Sequence, residues 1–292
     1  MWYTKQSVAT LLPYEIQYAT ILEVIIVEGE LQMNERTGVQ TKRIPSSNIV
    51  VDLEKEFPIL RCKQVYWKSA LKEILWIMQK QSNNVHDLGS HIWDQWADEN
   101  GEIGLAYGYQ VGKPVIIDGE DYHDQVSYVL ETLKKDPSSR RAVINLWDVN
   151  DLGKMNLTPC CYSSVWTIVN GRLNCMLVQR SADFLVGVPF NTTQYAMLTY
   201  LFADHLGVKP GILTHCMADT HMYMYKSHIE GAEKMLDNLH QIYNVLGKQR
   251  SKIKSPKFVR NNGETNFFEI SYENYDVIDY NPIEKIEFDV AK

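Results

Sequence analysis

The sequence predicts an α+β fold in a single domain, and three observations carry that expectation. Segments of helical period are interspersed with segments that read as strands. One pair of strands is joined by Asn-Gly, the dipeptide of a tight hairpin. No repeat, low-complexity tract or Pro/Gly/Ser-rich linker divides the 292 residues, so residues 1–292 are read as one domain.

In chain order, Tyr14–Glu28 reads as a helix begun after Pro13. The stretch RTGVQTKRIPSSNIVVDL, Arg36–Leu53, reads as strands joined by turns. Ser69–Lys80 places Ala70, Leu71, Ile74, Leu75 and Met78 at helical spacing, and Tyr122–Leu133 is a second such segment. Arg141–Trp147 reads as a strand, and Val165–Val169 and Leu173–Val178 flank the Asn170-Gly171 turn. Gln194–Leu206 is apolar on most sides, which predicts a buried helix ended by Gly207.

Composition bounds the function. With 45% hydrophobic and 22% charged residues the chain is ordinary globular protein. A net charge of −7 argues against nonspecific nucleic-acid binding, which needs a basic surface. No apolar run approaches the roughly 20 residues of a membrane span, and the opening MWYTKQS lacks a signal-peptide layout. The cysteines at 62, 160, 161, 175 and 216 are odd in number and scattered, which fits a reduced, cytoplasmic setting.

Cys160 stands in Pro159-Cys160-Cys161, and a cysteine acts as a nucleophile only where a cation or helix N-terminus favours its thiolate. Taken alone it is as readily a small buried hydrophobe, so its company decides. Gln179-Arg180-Ser181-Ala182-Asp183 closes one predicted strand, and Ser139-Arg140-Arg141 opens another. Their guanidinium forks match phosphate oxygens, although each arginine singly could be a solvated surface charge. Asp219-Thr220-His221-Met222-Tyr223, if extended, sends His221 and Tyr223 to one face, where they could grip sugar hydroxyls or be satisfied core residues. His215, Cys216, His221 and His228 lie close in sequence, but no CxxC or HExxH spacing occurs, so no metal is expected. A Cys-His hydrolase has no supporting sequence order.

Taken together, these motifs resemble the thymidylate synthase family, and its Bacillus-type branch most. The resemblance runs through Arg36-Thr37-Gly38, FPIL at Phe57–Leu60, KEILW at Lys72–Trp76, and IWDQWADENGEIGLAYG at Ile92–Gly108. It continues through DPSSRR, LTPC, QRSADFLVGVPFN at Gln179–Asn191 and DTHMY, in the family's order over most of the chain.

The resemblance implies a mixed β-sheet with flanking helices and a sheet-to-sheet homodimer. It implies Cys160 as the nucleophile toward C6 of deoxyuridylate, with Arg180 as the neighbouring cation and phosphate contact. Arg36, Gln179, Arg180 and Ser181 resemble the nucleotide site, joined by Arg140 and Arg141 from the partner subunit. Asn191 resembles the base reader, and relatives acting on deoxycytidylate tend to carry aspartate there. His221 and Tyr223 resemble the sugar contacts, and Glu73 and Tyr107 the proton-transfer groups. Asp183 resembles the pterin anchor, with Ile92, Trp93, Trp96, Leu157, Gly187, Phe190 and Ala291 around the folate. The co-substrate implied is 5,10-methylenetetrahydrofolate. Hydride then gives dTMP and dihydrofolate, whereas water in its place gives hydroxymethyl-dUMP. A third reading is a silent nucleotide- or RNA-binding member, against which Cys160, Glu73, Asn191 and Tyr107 all count.

The chain departs from the family's pattern in four places. Cys161 follows the nucleophile where many members have histidine. Val165 replaces a usual glutamine, and Trp166 is expected to refill that space. Met217-Ala218 replaces a Gly pair before Asp219. The chain ends on Lys292 rather than on a small apolar residue, a poorer plug against water.

Overall fold

The computed structural model describes residues 12–35, 37–249, 254–261 and 263–289. The expected sites Arg36, Ala291 and Lys292 lie outside the described residues. The elements are α1 (Tyr14–Glu28), β1 (Glu30–Asn34), β2 (Val39–Asp52), α2 (Trp67–Met78), α3 (Tyr107–Val111), β3 (Ile116–Ile117) and β4 (Glu120–Asp121). They continue with α4 (Gln125–Lys135), β5 (Val143–Asn145), β6 (Cys161–Val169), β7 (Arg172–Gln179) and β8 (Ala182–Asp183). The last are α5 (Gly187–Leu206), β9 (Lys209–Tyr223), α6 (Lys226–Gln249), β10 (Lys257–Arg260) and β11 (Tyr275–Ile278).

Helix α1 has the expected bounds. The next stretch does not split into several strands. It is one long strand, β2, paired antiparallel with both β1 and β9. Pro45 does not break it, because the ladder to β9 runs Ile44 to Thr220 and Ser46 to Ala218 and skips the position between. A proline has no N–H to contribute there. Opposite it, Asp219 has φ +45°, a local kink in β9.

Helix α4 begins later than its periodicity suggests, because Asp124 caps it. Its carboxylate accepts the Val126 and Ser127 N–H groups at 2.8 and 2.9 Å. Asn170 and Gly171 take φ +53° and +70°, the left-handed pair that a two-residue hairpin needs. Strand β6 starts four residues before the expected one, immediately after Cys160. Helix α5 starts seven residues before Gln194, because Pro189 falls in its first turn, where a missing N–H costs nothing. It ends at Gly207, whose φ is +67°.

The main sheet is mixed. Its order is β1-β2-β9-β7-β6-β5, with β8 beside β9. The β7–β9 and β8–β9 pairs are parallel and the others antiparallel. Side chains alternate faces along each strand, and two neighbouring cross-strand rows show the result. Ile144, Ser164, Leu177, His215 and Ile49 are all buried on the inner face, under α5. One residue along, Val143, Val165, Met176, Thr214 and Val50 remain partly or largely exposed, with Met176 at 46%.

That alternation corrects one expectation. Trp166 cannot refill the space beside Val165, because the two point to opposite faces. Trp166 is fully buried against Phe202, with ring centroids 4.8 Å apart.

Candidate active site

The site gathers where α2, the Ile92–Trp96 segment, α3, the ends of β7 and β8, and the start of α5 meet around a cleft of about 660 Å³. Cys160 lies on its wall, in the turn that enters β6. Arg180, at the end of β7, fixes that turn. Its Nε donates to the Pro159 carbonyl at 3.0 Å, and its Nη2 donates to the Thr158 carbonyl at 3.0 Å and to Thr158 Oγ1 at 2.6 Å. The Arg180 N–H donates to the Cys160 carbonyl at 2.9 Å. On the other side, the Cys160 N–H donates to the Tyr107 hydroxyl at 2.9 Å. With both ends held, Cys160 Sγ sits 4.0 Å from Arg180 Nη2.

Tyr107 is positioned by its neighbour. A Cβ on Gly108 would lie 2.2 Å from the Ser82 carbonyl oxygen, so only glycine lets α3 pack this close. Cys161, one residue beyond the nucleophile candidate, turns inward. It is buried with its Sγ 3.5 Å from Gln179 Oε1, and burial pushes its thiol well above the ordinary range. Burial does the same to Cys62 and Cys175. No disulfide joins any of the five cysteines.

Glu73 projects from α2 into the cleft and is 8% exposed. Burial pushes its carboxyl up to about 7, against the pull of hydrogen bonds from Trp93 and Gln194. The Trp93 indole Nε1 donates to Glu73 Oε1 at 2.8 Å. Trp93 in turn packs edge-on against Trp96 at 5.2 Å and Tyr107 at 5.4 Å. These indoles, with Ile92, Leu157 and Phe190, give the cleft an apolar lining. Asp183 and Gly187 line the same space, and the Asp183 carboxylate accepts the Leu185 and Val186 N–H groups at 3.2 and 3.3 Å.

Asn191, one turn into α5, also faces the cleft, and its Nδ2 donates to Gln194 Oε1 at 3.1 Å. Gln179 and Ser181 reach the cleft from the end of β7. Buried Gln179 accepts from His215 Nε2 at 2.8 Å. A second, polar pocket of about 320 Å³ shares Ser181 and is lined by Arg43, Asp219 and His221. Burial works against a proton on His221, but the Asp219 side chain and carbonyl outweigh it and raise the imidazole above its usual range. His221 and Tyr223 share a face of β9, with ring centroids 5.4 Å apart.

The resemblance assigns Arg140 and Arg141 to the site of a partner subunit. Arg140 and Arg141 are exposed just before β5, and neither lines either pocket in this chain. Among the described residues, no group of three or more His, Cys, Asp or Glu side chains is arranged to hold a metal.

Two residues escaped the sequence reading. Gln194 hydrogen-bonds both Asn191 and Glu73, a relation legible only once the helix is known to run back through Asn191. Lys63 is buried beside Asp183, and its Nζ donates to the Leu185 carbonyl at 2.6 Å. It lines a pocket of about 440 Å³ that shares Val186 and Phe190 with the main cleft. A lone lysine after FPIL gave no sequence signal of burial.

Comparison with known proteins accords with this geometry. The family model described as thymidylate synthase matches residues 16–292. The thymidylate synthase of Clostridium beijerinckii is 40% identical over 281 residues, covering 95% of this chain and 98% of that protein. That of Bacillus licheniformis is 37% identical over 289 residues, covering 95% and 99%. The solved thermostable thymidylate synthase A from Bacillus subtilis superposes with a TM-score of 0.82 at 35% identity, covering 96% of this chain and 99% of that one. The chain therefore belongs to the thymidylate synthase family.

Proposed function

We propose that the protein converts dUMP to dTMP with 5,10-methylenetetrahydrofolate, that residues 1–292 form one catalytic domain, and that Cys160 is the nucleophile. One observation carries the assignment of roles: Cys160, beside the Arg180 guanidinium, shares a single cleft with Glu73, Asn191 and Asp183. The adjacent cation stabilises a thiolate. Addition of that sulfur to C6 of the pyrimidine moves an electron pair toward C5 and O4 and makes C5 nucleophilic. Asn191 reads the N3–H and O4 edge, since its amide offers both an acceptor and a donor. Ser181, Gln179, His221 and Tyr223 hold the sugar and phosphate side, joined by Arg180 and Arg36.

Glu73, held near neutrality, can take up and release a proton at working pH, and it acts with Tyr107 and intervening water at C5 and O4. The apolar lining of Ile92, Trp93, Trp96, Leu157 and Phe190 fits a pterin, with Asp183 as its polar anchor and Gly187 beside it; Ala291, the remaining folate contact that the resemblance implies, lies outside the described residues. Bound there, the folate supplies the one-carbon unit and the hydride. Lys63, in the adjoining pocket, offers positive charge to the carboxylates of the folate tail.

The synthase reading is preferred to the hydroxymethylase because the matched relatives are thymidylate synthases, and the apolar wall keeps water from competing with hydride. We further propose a homodimer through the outer face of the sheet, where Val165 and Met176 are incompletely covered. Arg140 and Arg141 would reach the partner's phosphate site. The setting proposed is cytoplasmic. Among the described residues, no helix is long and apolar enough to cross a membrane.

Mixing the protein with dUMP and methylenetetrahydrofolate, following dihydrofolate by absorbance and identifying the nucleotide by mass, tests the reaction. Dihydrofolate with dTMP is expected. Hydroxymethyl-dUMP without dihydrofolate would overturn it.

A further inference from the structure

Gln194 is 3% exposed and uses both ends of its amide. Its Nε2 donates to the Ala70 carbonyl of α2 at 3.3 Å, and the side chain also hydrogen-bonds the Glu73 carboxyl. Its Oε1 accepts Asn191 Nδ2 at 3.1 Å. A backbone carbonyl can only accept, so the Ala70 oxygen fixes which end of the Gln194 amide faces α2. The end facing Asn191 is then an acceptor, and Asn191 must answer with its NH2. Its Oδ1 is left on the side of Gly187, which also lines the cleft, close enough that a Cβ there would lie 3.5 Å from it.

We propose that Gln194 is the specificity-determining positioning residue of this enzyme, locking the Asn191 amide in the orientation that accepts uracil and rejects cytosine. The proposal rests on Asn191 being the base reader. In the locked orientation Oδ1 accepts from N3–H of uracil, and the second Nδ2 hydrogen reaches O4. Cytosine carries a bare N3 and an amino group at C4, so acceptor would face acceptor and donor would face donor. An unrestrained asparagine escapes this by rotating its amide half a turn, which converts it into a cytosine reader. Here that rotation breaks the bond to Gln194 and sets two carbonyl oxygens against each other, leaving the buried Gln194 oxygen unsatisfied, which is costly. The discrimination is thus set from the backbone of α2 through two amides in series. Specificity of this kind needs the repulsive arrangement to be held in place.

The test measures dUMP and dCMP dissociation constants by competition for three variants of the whole enzyme. Gln194→Met keeps the length and removes the polarity, so it should release the asparagine and narrow the dUMP-over-dCMP ratio by about tenfold or more. Gln194→Glu retains an acceptor for Asn191 Nδ2, so it should preserve the ratio; a purely structural role for Gln194 would damage both variants alike. Asn191→Ala separates the two layers of the argument. If it loses discrimination while Gln194→Met keeps it, Asn191 reads the base and the lock is overturned. If Asn191→Ala discriminates like the parent, the base-reader assignment fails and the lock falls with it. Should the buried carboxylate of Gln194→Glu prevent folding, as thermal melting would reveal, the Gln194→Met and Asn191→Ala pair still decides.

Discussion

Cys160 and Cys161 are neighbours in the chain and opposites in chemistry. Cys160 closes a turn pinned by Arg180 and Tyr107, with its sulfur beside a guanidinium on the cleft wall. Cys161 opens β6 with its thiol sealed inside and burial opposing its ionisation. One peptide bond, at the point where an irregular turn becomes a strand, separates a thiol beside a cation on the cleft wall from one sealed in the core. Residue type therefore says little about reactivity, and the end of a strand says a great deal.

The most direct way to break this contrast is to exchange the roles by mutation. Cys160→Ala should lower turnover by at least about a thousandfold while leaving dUMP binding nearly intact, whereas Cys161→Ala should stay within a few-fold. Steady-state rates and equilibrium binding on both variants check this, and comparable losses would erase the distinction.

The next largest effect concerns the outer face of the same strands. Met176→Lys places a charge on the partly exposed row without touching the core. It should yield monomers by sedimentation and lose most dUMP turnover, because Arg140 and Arg141 then have no partner site to complete. An active monomer would show that each chain completes its own site.

Burial acts on Glu73 as it does on Cys161, but to useful effect. Its carboxyl titrates near 7 in the folded chain against an ordinary value of 4.5. The folded state thus holds this proton more tightly than the unfolded chain does. The resulting stability is full below about pH 4.5 and is lost as pH rises through about 7, a change of roughly 3 kcal/mol. Glu73→Gln should therefore melt higher than the parent above pH 7, converge with it near pH 5, and be nearly inactive. A parent melting profile flat between pH 5 and 8 would remove the raised carboxyl.

The smallest effect sharpens the same point. Trp93→Phe deletes the indole donor that holds the Glu73 carboxyl down. The acid limb of kcat/KM should move to higher pH by up to about one unit, with a trace of hydroxymethyl-dUMP as the water shield thins. An unmoved limb would exclude Glu73 as the group that titrates.

Local signals read well. The Pro13 start of α1, the Asn170-Gly171 turn and the Gly207 stop are written in single residues with fixed backbone preferences. Long-range placement was not legible. Nothing near Pro45 announces that β9 skips a rung opposite it, so one long strand read as several. Pro189 concealed the first turns of α5, and with them the i, i+3 relation of Asn191 to Gln194. The face that Trp166 takes depends on strand parity, which the residues around it do not fix. Cys160, Glu73 and Asp183, which the family's ordered pattern singles out, line one cleft. Lys63 belongs to no pattern that encodes burial.

Helix α5 carries Gly187, Phe190, Asn191 and Gln194 on one stripe that lines the cleft, while the rest of it is embedded under the sheet. The wall of the cleft is therefore also the central beam of the core. A mutation that alters substrate choice here is paid for in stability, and one that repacks the core shifts both binding geometries together. The Ile92–Trp96 segment offers no freer route, because Trp93 is itself buried against Trp76 and Tyr107 and donates to Glu73.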